Sequence, residues 1–201
     1  MEFWSSNAIG KSNQWLYAAN YYGEMITVDT SDPANLVNMG VLAIPGDGYP
    51  LNMEIYGDTI YLADYYVGII AIDISVPQTP AIENTFGGTA SAGLDLVGNK
   101  LYVTDYDTGD LTVYDVGADA YDPPVLGSIN DSFGTWGIDV LVIGGLAYVA
   151  KYDYGIVVYD VRNPAAMAQA GELALYGVWK LETDSQYIYV VASDLLYVLS
   201  R

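Results

Sequence analysis

A tyrosine-centred line of residues recurs along this chain, and a unit repeated at this spacing leaves few folds open. It runs from Leu16 to Ser31, and again from Ile60 to Ser75, Leu101 to Val116 and Ala147 to Arg162, with a shortened copy from Ile188 to Arg201. Its marker residues Tyr17, Tyr61, Tyr102, Tyr148 and Tyr189 are 44, 41, 46 and 41 residues apart. Between the markers, short apolar runs rich in Val, Ile and Tyr are broken by Gly, Asp, Asn and Pro, the pattern of strands and turns. No segment holds a 3.6-residue apolar period for three turns, so no helix is expected.

Each unit therefore reads as four strands, here a to d. Strand a is expected over Leu51 to Tyr56, Gly93 to Val97, Gly137 to Ile143 and Val178 to Glu182. Strand b holds the marker tyrosine, and strand c ends in Asp29, Asp73, Asp115 or Asp160. Strand d follows a proline-bearing turn and is expected over Leu36 to Ala43, Ala81 to Thr85, Val125 to Ile129 and Met167 to Leu173. Four-stranded units of about 40 residues are the signature of a β-propeller, and strands buried on both faces read as apolar throughout. The expected fold is thus all-β, a five-bladed propeller of four-stranded antiparallel blades, forming one domain over residues 1–201. The blades fall at about 7–45, 46–88, 89–131, 132–174 and 175–201, and the last lacks strand d. Residues 1–6, with the apolar stretch Glu2-Phe3-Trp4-Ser5, are expected to supply that strand and close the ring.

Composition excludes several kinds of chemistry. With no Cys and no His, the chain has no thiolate nucleophile, no disulfide, and neither usual zinc ligand nor usual general base. Six basic against 25 acidic residues give a formal charge of −19, which opposes binding to nucleic acid and to an anionic membrane surface. The start Met1-Glu2-Phe3-Trp4 has neither the basic nor the apolar region of a signal peptide. No apolar run approaches the roughly 20 residues of a membrane span. Gly87 to Gly93 is glycine-rich but has no Lys to serve a phosphate loop, and Asn130-Asp131-Ser132 fits a glycosylation sequon.

The unit Tyr-Val-Ala-Asp-Tyr, then Gly-Ile-Val-Val-Tyr-Asp-Val and Asn-Pro, resembles the LVIVD repeat, best in Ile60 to Ser75 and Ala147 to Pro164. The resemblance implies a propeller of the kind found in bacterial and archaeal surface or secreted proteins. It brings no catalytic motif to transfer. Asn20 and Lys151 stand where that family usually has Asp.

Candidate sites follow from the propeller frame. The turns between strands b and c, with the d-to-a connections, would place Tyr21, Tyr22, Tyr65, Tyr66, Tyr106, Trp136, Tyr152 and Tyr154 on one rim, beside Tyr49, Phe133 and Tyr176. Flat amphipathic rings give contact area at low entropy cost, and the alternative is that these rings cap the core. Asp105, Asp107 and Asp110 resemble the start of a calcium loop without its distal Glu, so Ca²⁺ is the one cofactor to consider. The strand-c aspartates are expected to accept turn amides. Glu54, Asp95, Asp139 and Lys180, with Ala8, are expected at equivalent places of strand a, lining a central channel. Such groups suit a buried polar network, a cation site, or an acid–base pair for glycan hydrolysis.

The leading expectation is a non-catalytic binding or assembly module of a cell-surface or extracellular protein, recognising a protein or glycan through its Tyr/Trp- and Asp-rich face. The alternatives are a self-assembling structural subunit and a glycan-active enzyme. An extracellular or cell-surface setting is expected, with the cytoplasm as the alternative.

Overall fold

The computed structural model describes residues 6–46, 48–130 and 134–201. Its strands form five antiparallel sheets, each a meander in chain order. The first comprises β1 (Ser6–Ser12), β2 (Trp15–Asn20), β3 (Glu24–Asp29) and β4 (Val37–Ala43). The second comprises β5 (Pro50–Tyr56), β6 (Thr59–Asp64), β7 (Gly68–Asp73) and β8 (Ala81–Phe86). The third holds β9 (Ser91–Val97), β10 (Lys100–Asp105), β11 (Leu111–Asp115) and β12 (Val125–Ile129). The fourth holds β13 (Gly137–Ile143), β14 (Leu146–Lys151), β15 (Gly155–Asp160) and β16 (Ala168–Ala174). The fifth has three strands among the described residues, β17 (Val178–Thr183), β18 (Tyr187–Ala192) and β19 (Leu195–Ser200). The expected strands agree with these to within two residues at either end. The one helical element described is the 3₁₀ turn Pro164–Ala166, where the proline-bearing connection reverses the chain.

The expected closing strand falls almost wholly on residues 1–5, outside the described residues. Ser6 is a correction: it opens β1 and pairs with Asn20, so it belongs to the first sheet.

The chain divides into two compact units, Met1–Ser91 with Val116–Pro123 and Ala92–Asp115 with Pro124–Arg201. In the first, Tyr17, Met25, Met53, Ile60, Leu62, Ile70 and Ile72 pack between the first two sheets. In the second, Leu111, Val113, Val149 and Val157 form one core, and Ile156, Val178, Leu181 and Val190 another. Each fully buried Ile, Leu or Val contributes about 1.5–3 kcal/mol of transfer free energy. Inner strands are covered on both faces, every residue of β6 being buried, whereas β16 is exposed along almost its whole length. That difference is why strands b and c read as continuous apolar runs while strand d does not.

Two local devices position the loops. The hairpins between strands b and c close on glycine: Gly155 has φ +132°, and a Cβ there would lie 2.1 Å from the Leu173 carbonyl oxygen. Strand a carries a register shift near its start, at Ser6/Ala8, Pro50/Asn52, Gly137/Asp139 and Val178/Lys180. These are β-bulges, which leave one residue unpaired and turn its side chain.

Candidate functional site

The last residue of strand b shapes the hairpin in the first three sheets. Asp64 accepts hydrogen bonds from the Tyr66 and Val67 amides on Oδ1 (2.9 and 3.0 Å) and from the Tyr49 amide on Oδ2 (2.6 Å). Asp105 accepts from the Asp107 and Thr108 amides, and Asn20 does the same for Tyr22 and Glu24. An amide side chain thus replaces the carboxylate at Asn20 without loss of the cap. Lys151 reverses the chemistry. It is fully buried, and its Nζ donates to the Gly109 carbonyl of the preceding sheet's hairpin.

Tyrosines flank these caps, and each unit gathers its own. In the first, Tyr21 and Tyr49 lie 4.8 Å apart between ring centroids, with their hydroxyls at 3.5 Å. Tyr65 and Tyr66 meet edge to face at 5.1 Å, and Tyr49 contacts both. Tyr22 stands 71% exposed in the same hairpin. In the second, Trp136 stacks at 27° with Tyr106 (5.5 Å) and with Tyr152 (5.6 Å). Tyr152 in turn meets Tyr176 at 5.7 Å and Trp179 at 4.6 Å. Backbone bonds lace the loops beneath: Gly137 N–H to Tyr106 C=O, Tyr152 N–H to Trp136 C=O, and Gly177 N–H to Tyr152 C=O. Trp136, Tyr176 and Trp179 are nevertheless 41, 65 and 44% exposed.

Tyr154 packs against the core of the second unit and donates its hydroxyl to Glu172 at 2.8 Å. Trp179 was not anticipated. It is the unpaired residue of the β17 bulge, and the bulge turns it onto Tyr152. Phe133 lies outside the described residues.

Strand-a carboxylates occupy two levels, not one. Glu54 pairs with marker Tyr61, whereas Asp139 pairs with Ala150 and Lys180 with Val191, two places from their markers Tyr148 and Tyr189. The bulge falls at the same place in these strands, but Glu54 lies seven residues before its marker where Asp139 and Lys180 lie nine before theirs, so the expected single ring of equivalent positions is corrected. Glu54 is half-buried in β5 of the first unit. In the second unit, Asp139 and Asp95 each reach the next sheet. Oδ2 of Asp139 accepts the Leu181 amide at 2.8 Å, Oδ1 accepts Lys180 Nζ at 3.1 Å, and Oδ2 of Asp95 accepts the Val142 amide. Burial pushes the Asp139 carboxyl up to about 6, against the pull of the Lys180 ammonium, and burial also raises Asp95. Such an arrangement clasps one sheet to the next.

The remaining aspartates act locally. Among the described residues no three acidic side chains are grouped to hold a metal ion. Asp105 is bonded to turn amides, and Asp110 accepts from the Asn130 side chain. Asp29, Asp73 and Asp160 accept the amides of Ser31, Ser75 and Arg162 as expected, while Asp115 binds the Asn99 side chain.

The LVIVD repeat matches residues 8–43, 47–86 and 137–174, more than half of the chain. The chain belongs to the LVIVD-repeat family. No curated protein matches it. Among solved structures, this LVIVD-repeat chain is similar to a 6-phosphogluconolactonase-like protein from Bacteroides uniformis, at 13% identity and TM-score 0.82, covering 97% of this chain and 67% of that one. It is similar to the computationally designed Ika8 protein, at 12% identity and TM-score 0.70, covering 97% and 58%. It is also similar to BamB from Moraxella catarrhalis, at 15% identity and TM-score 0.67, covering 96% and 56%. The LVIVD chain therefore spans 56 to 67% of the length of these three proteins. At such identities the likeness establishes the β-propeller fold alone.

Proposed function

We propose that this LVIVD-repeat chain is a non-catalytic binding module of a cell-surface or extracellular protein, recognising a protein or glycan through its aromatic loop clusters. The observation that carries the reading is the second unit's run of five touching rings, three of them exposed, held by backbone hydrogen bonds. Exposed aromatics without a partner are costly to keep, and rigid ones lose little entropy on binding. Asp95 and Asp139, the carboxylates that a glycan-active reading would need, are engaged by backbone amides, which favours binding over hydrolysis. With 19 Asp among 25 acidic residues, the proposed partners exclude nucleic acid and anionic membranes.

A screen of immobilised peptides and glycans with the wild-type chain and with a Trp136→Ala/Tyr176→Ala variant tests the reading. Binding present in the first and lost in the second, with both folded, is expected. Equal binding by both would overturn it.

The second reading, a self-assembling structural subunit, draws on Leu195, Leu196 and Val198, which β19 leaves exposed. Concentration-dependent association of the wild type, abolished by Leu196→Lys, is its measurement.

A further inference from the structure

We propose that the aromatic cluster of the second unit takes a cationic polypeptide segment, an extended stretch carrying Arg or Lys side chains. The inference rests on the binding reading above and names the ligand class for that site.

The chemistry begins with the hairpins. Tyr106 lies between Asp105 and Asp107, and Tyr152 is followed by Asp153. Asp107 and Asp153 are both exposed, so each hairpin carries an open carboxylate next in sequence to a ring of the cluster. Phenolic oxygens and carboxylates accept hydrogen bonds from N–H donors, and aromatic faces carry negative potential that draws ammonium and guanidinium groups. The same loops hold one basic residue, Lys151, and its ammonium is buried against the Gly109 carbonyl, where it offers no surface charge. Lys180, next to Trp179, is tied to Asp139. Charge complementarity therefore points to a partner that brings its own cations.

The rings argue in the same direction. Trp136 already has two tyrosines lying near-parallel to it, so a sugar ring would have to share the indole with them. Tyr176 and Trp179 are the outer members of the run, and Tyr176 is its most exposed residue. A flexible side chain with a flat or compact cationic head fits between such rings and the flanking carboxylates, whereas a pyranose needs a broad uncovered face. The whole-chain charge of −19 adds long-range attraction for a cation, which raises the association rate at low salt.

The test uses the whole chain and four probes: blocked hexapeptides alternating Gly with Arg, Glu or Asn, and a neutral cello-oligosaccharide. Tryptophan fluorescence and calorimetry report binding. The Arg peptide is expected to bind, with affinity falling at least tenfold between about 50 and 500 mM NaCl, while the Glu and Asn peptides bind at least tenfold more weakly. Tyr176→Ala, whose ring is largely exposed, should weaken the Arg peptide at least tenfold while leaving cooperative unfolding intact. Asp107→Asn/Asp153→Asn should flatten the salt dependence. An Arg peptide that binds wild type and Tyr176→Ala equally would be mere charge adsorption and would overturn the inference. So would an Arg peptide that does not bind. Oligosaccharide binding that is lost in Tyr176→Ala would overturn this ligand class while upholding the aromatic face as a recognition site.

Discussion

Buried groups at the level of single residues set two expectations. Thr27 and marker Tyr17 are cross-strand partners in β3 and β2, both fully buried, and neither hydroxyl has a hydrogen-bond partner among the described residues. Tyr17 is correspondingly pushed up to about 12 by burial. A buried hydroxyl with no partner costs free energy that a methyl group of the same shape does not. Thr27→Val should therefore leave the unfolding free energy unchanged or raise it by about 1 kcal/mol. A loss of more than that in urea denaturation would mean the hydroxyl is satisfied. Asp139 carries the second expectation. Its carboxyl titrates near 6 when folded against an ordinary value of 3.8, so between those values the folded state binds the extra proton. Stability should then fall as pH rises from about 4 to 6, by an amount on the order of 3 kcal/mol from this group. Asp139→Asn should flatten that decline, and parallel pH profiles for the two proteins would show that the carboxyl is not desolvated.

Elements decide what a repeat can vary. Gly127 in β12 and Gly171 in β16 hold the same place, opposite Val113 and Val158, which pair with marker tyrosines Tyr102 and Tyr148. A Cβ on Gly127 would lie 1.9 Å from the Pro164 carbonyl oxygen, whereas one on Gly171 meets nothing within 4 Å. Gly127→Ala should cost about 2 kcal/mol or more, and Gly171→Ala less than about 1 kcal/mol. Equal melting temperatures for the two variants would remove the close approach. Asp95 and Asp139 form a second element-level pair, because β13 both donates an amide to Asp95 and carries Asp139. Their Asn variants should be non-additive by at least 0.5 kcal/mol in a double-mutant cycle. The strands themselves were legible, because apolar runs, prolines and hairpin glycines act locally and repeat. The bulges were not. One extra residue in strand a leaves no mark in composition, yet in β17 it turns Trp179 onto Tyr152. Tyr154, two residues beyond Tyr152, packs against the second unit's core and bonds Glu172, a contact that comes from β16 and leaves no mark in the hairpin's own sequence.

For the molecule as a whole, charge is the governing quantity. A net −19 works against compaction, and ion pairs such as Arg162–Asp160 offset little of it at the surface. Added NaCl should raise the melting temperature by roughly 2–4 °C for each kcal/mol of repulsion it screens. A melting temperature that falls between 10 and 500 mM NaCl would show that attractive pairs dominate. The same scarcity of basic residues makes the interior Lys151 an internal clock. Of the four lysines, Lys11, Lys100 and Lys180 lie at partly or wholly open positions, and Lys151 alone is sealed. An acylating reagent should mark those three within minutes of mixing. It reaches the fourth only when the second unit opens, so the slow gain of one last acyl group, weighed by mass spectrometry, counts the opening events themselves.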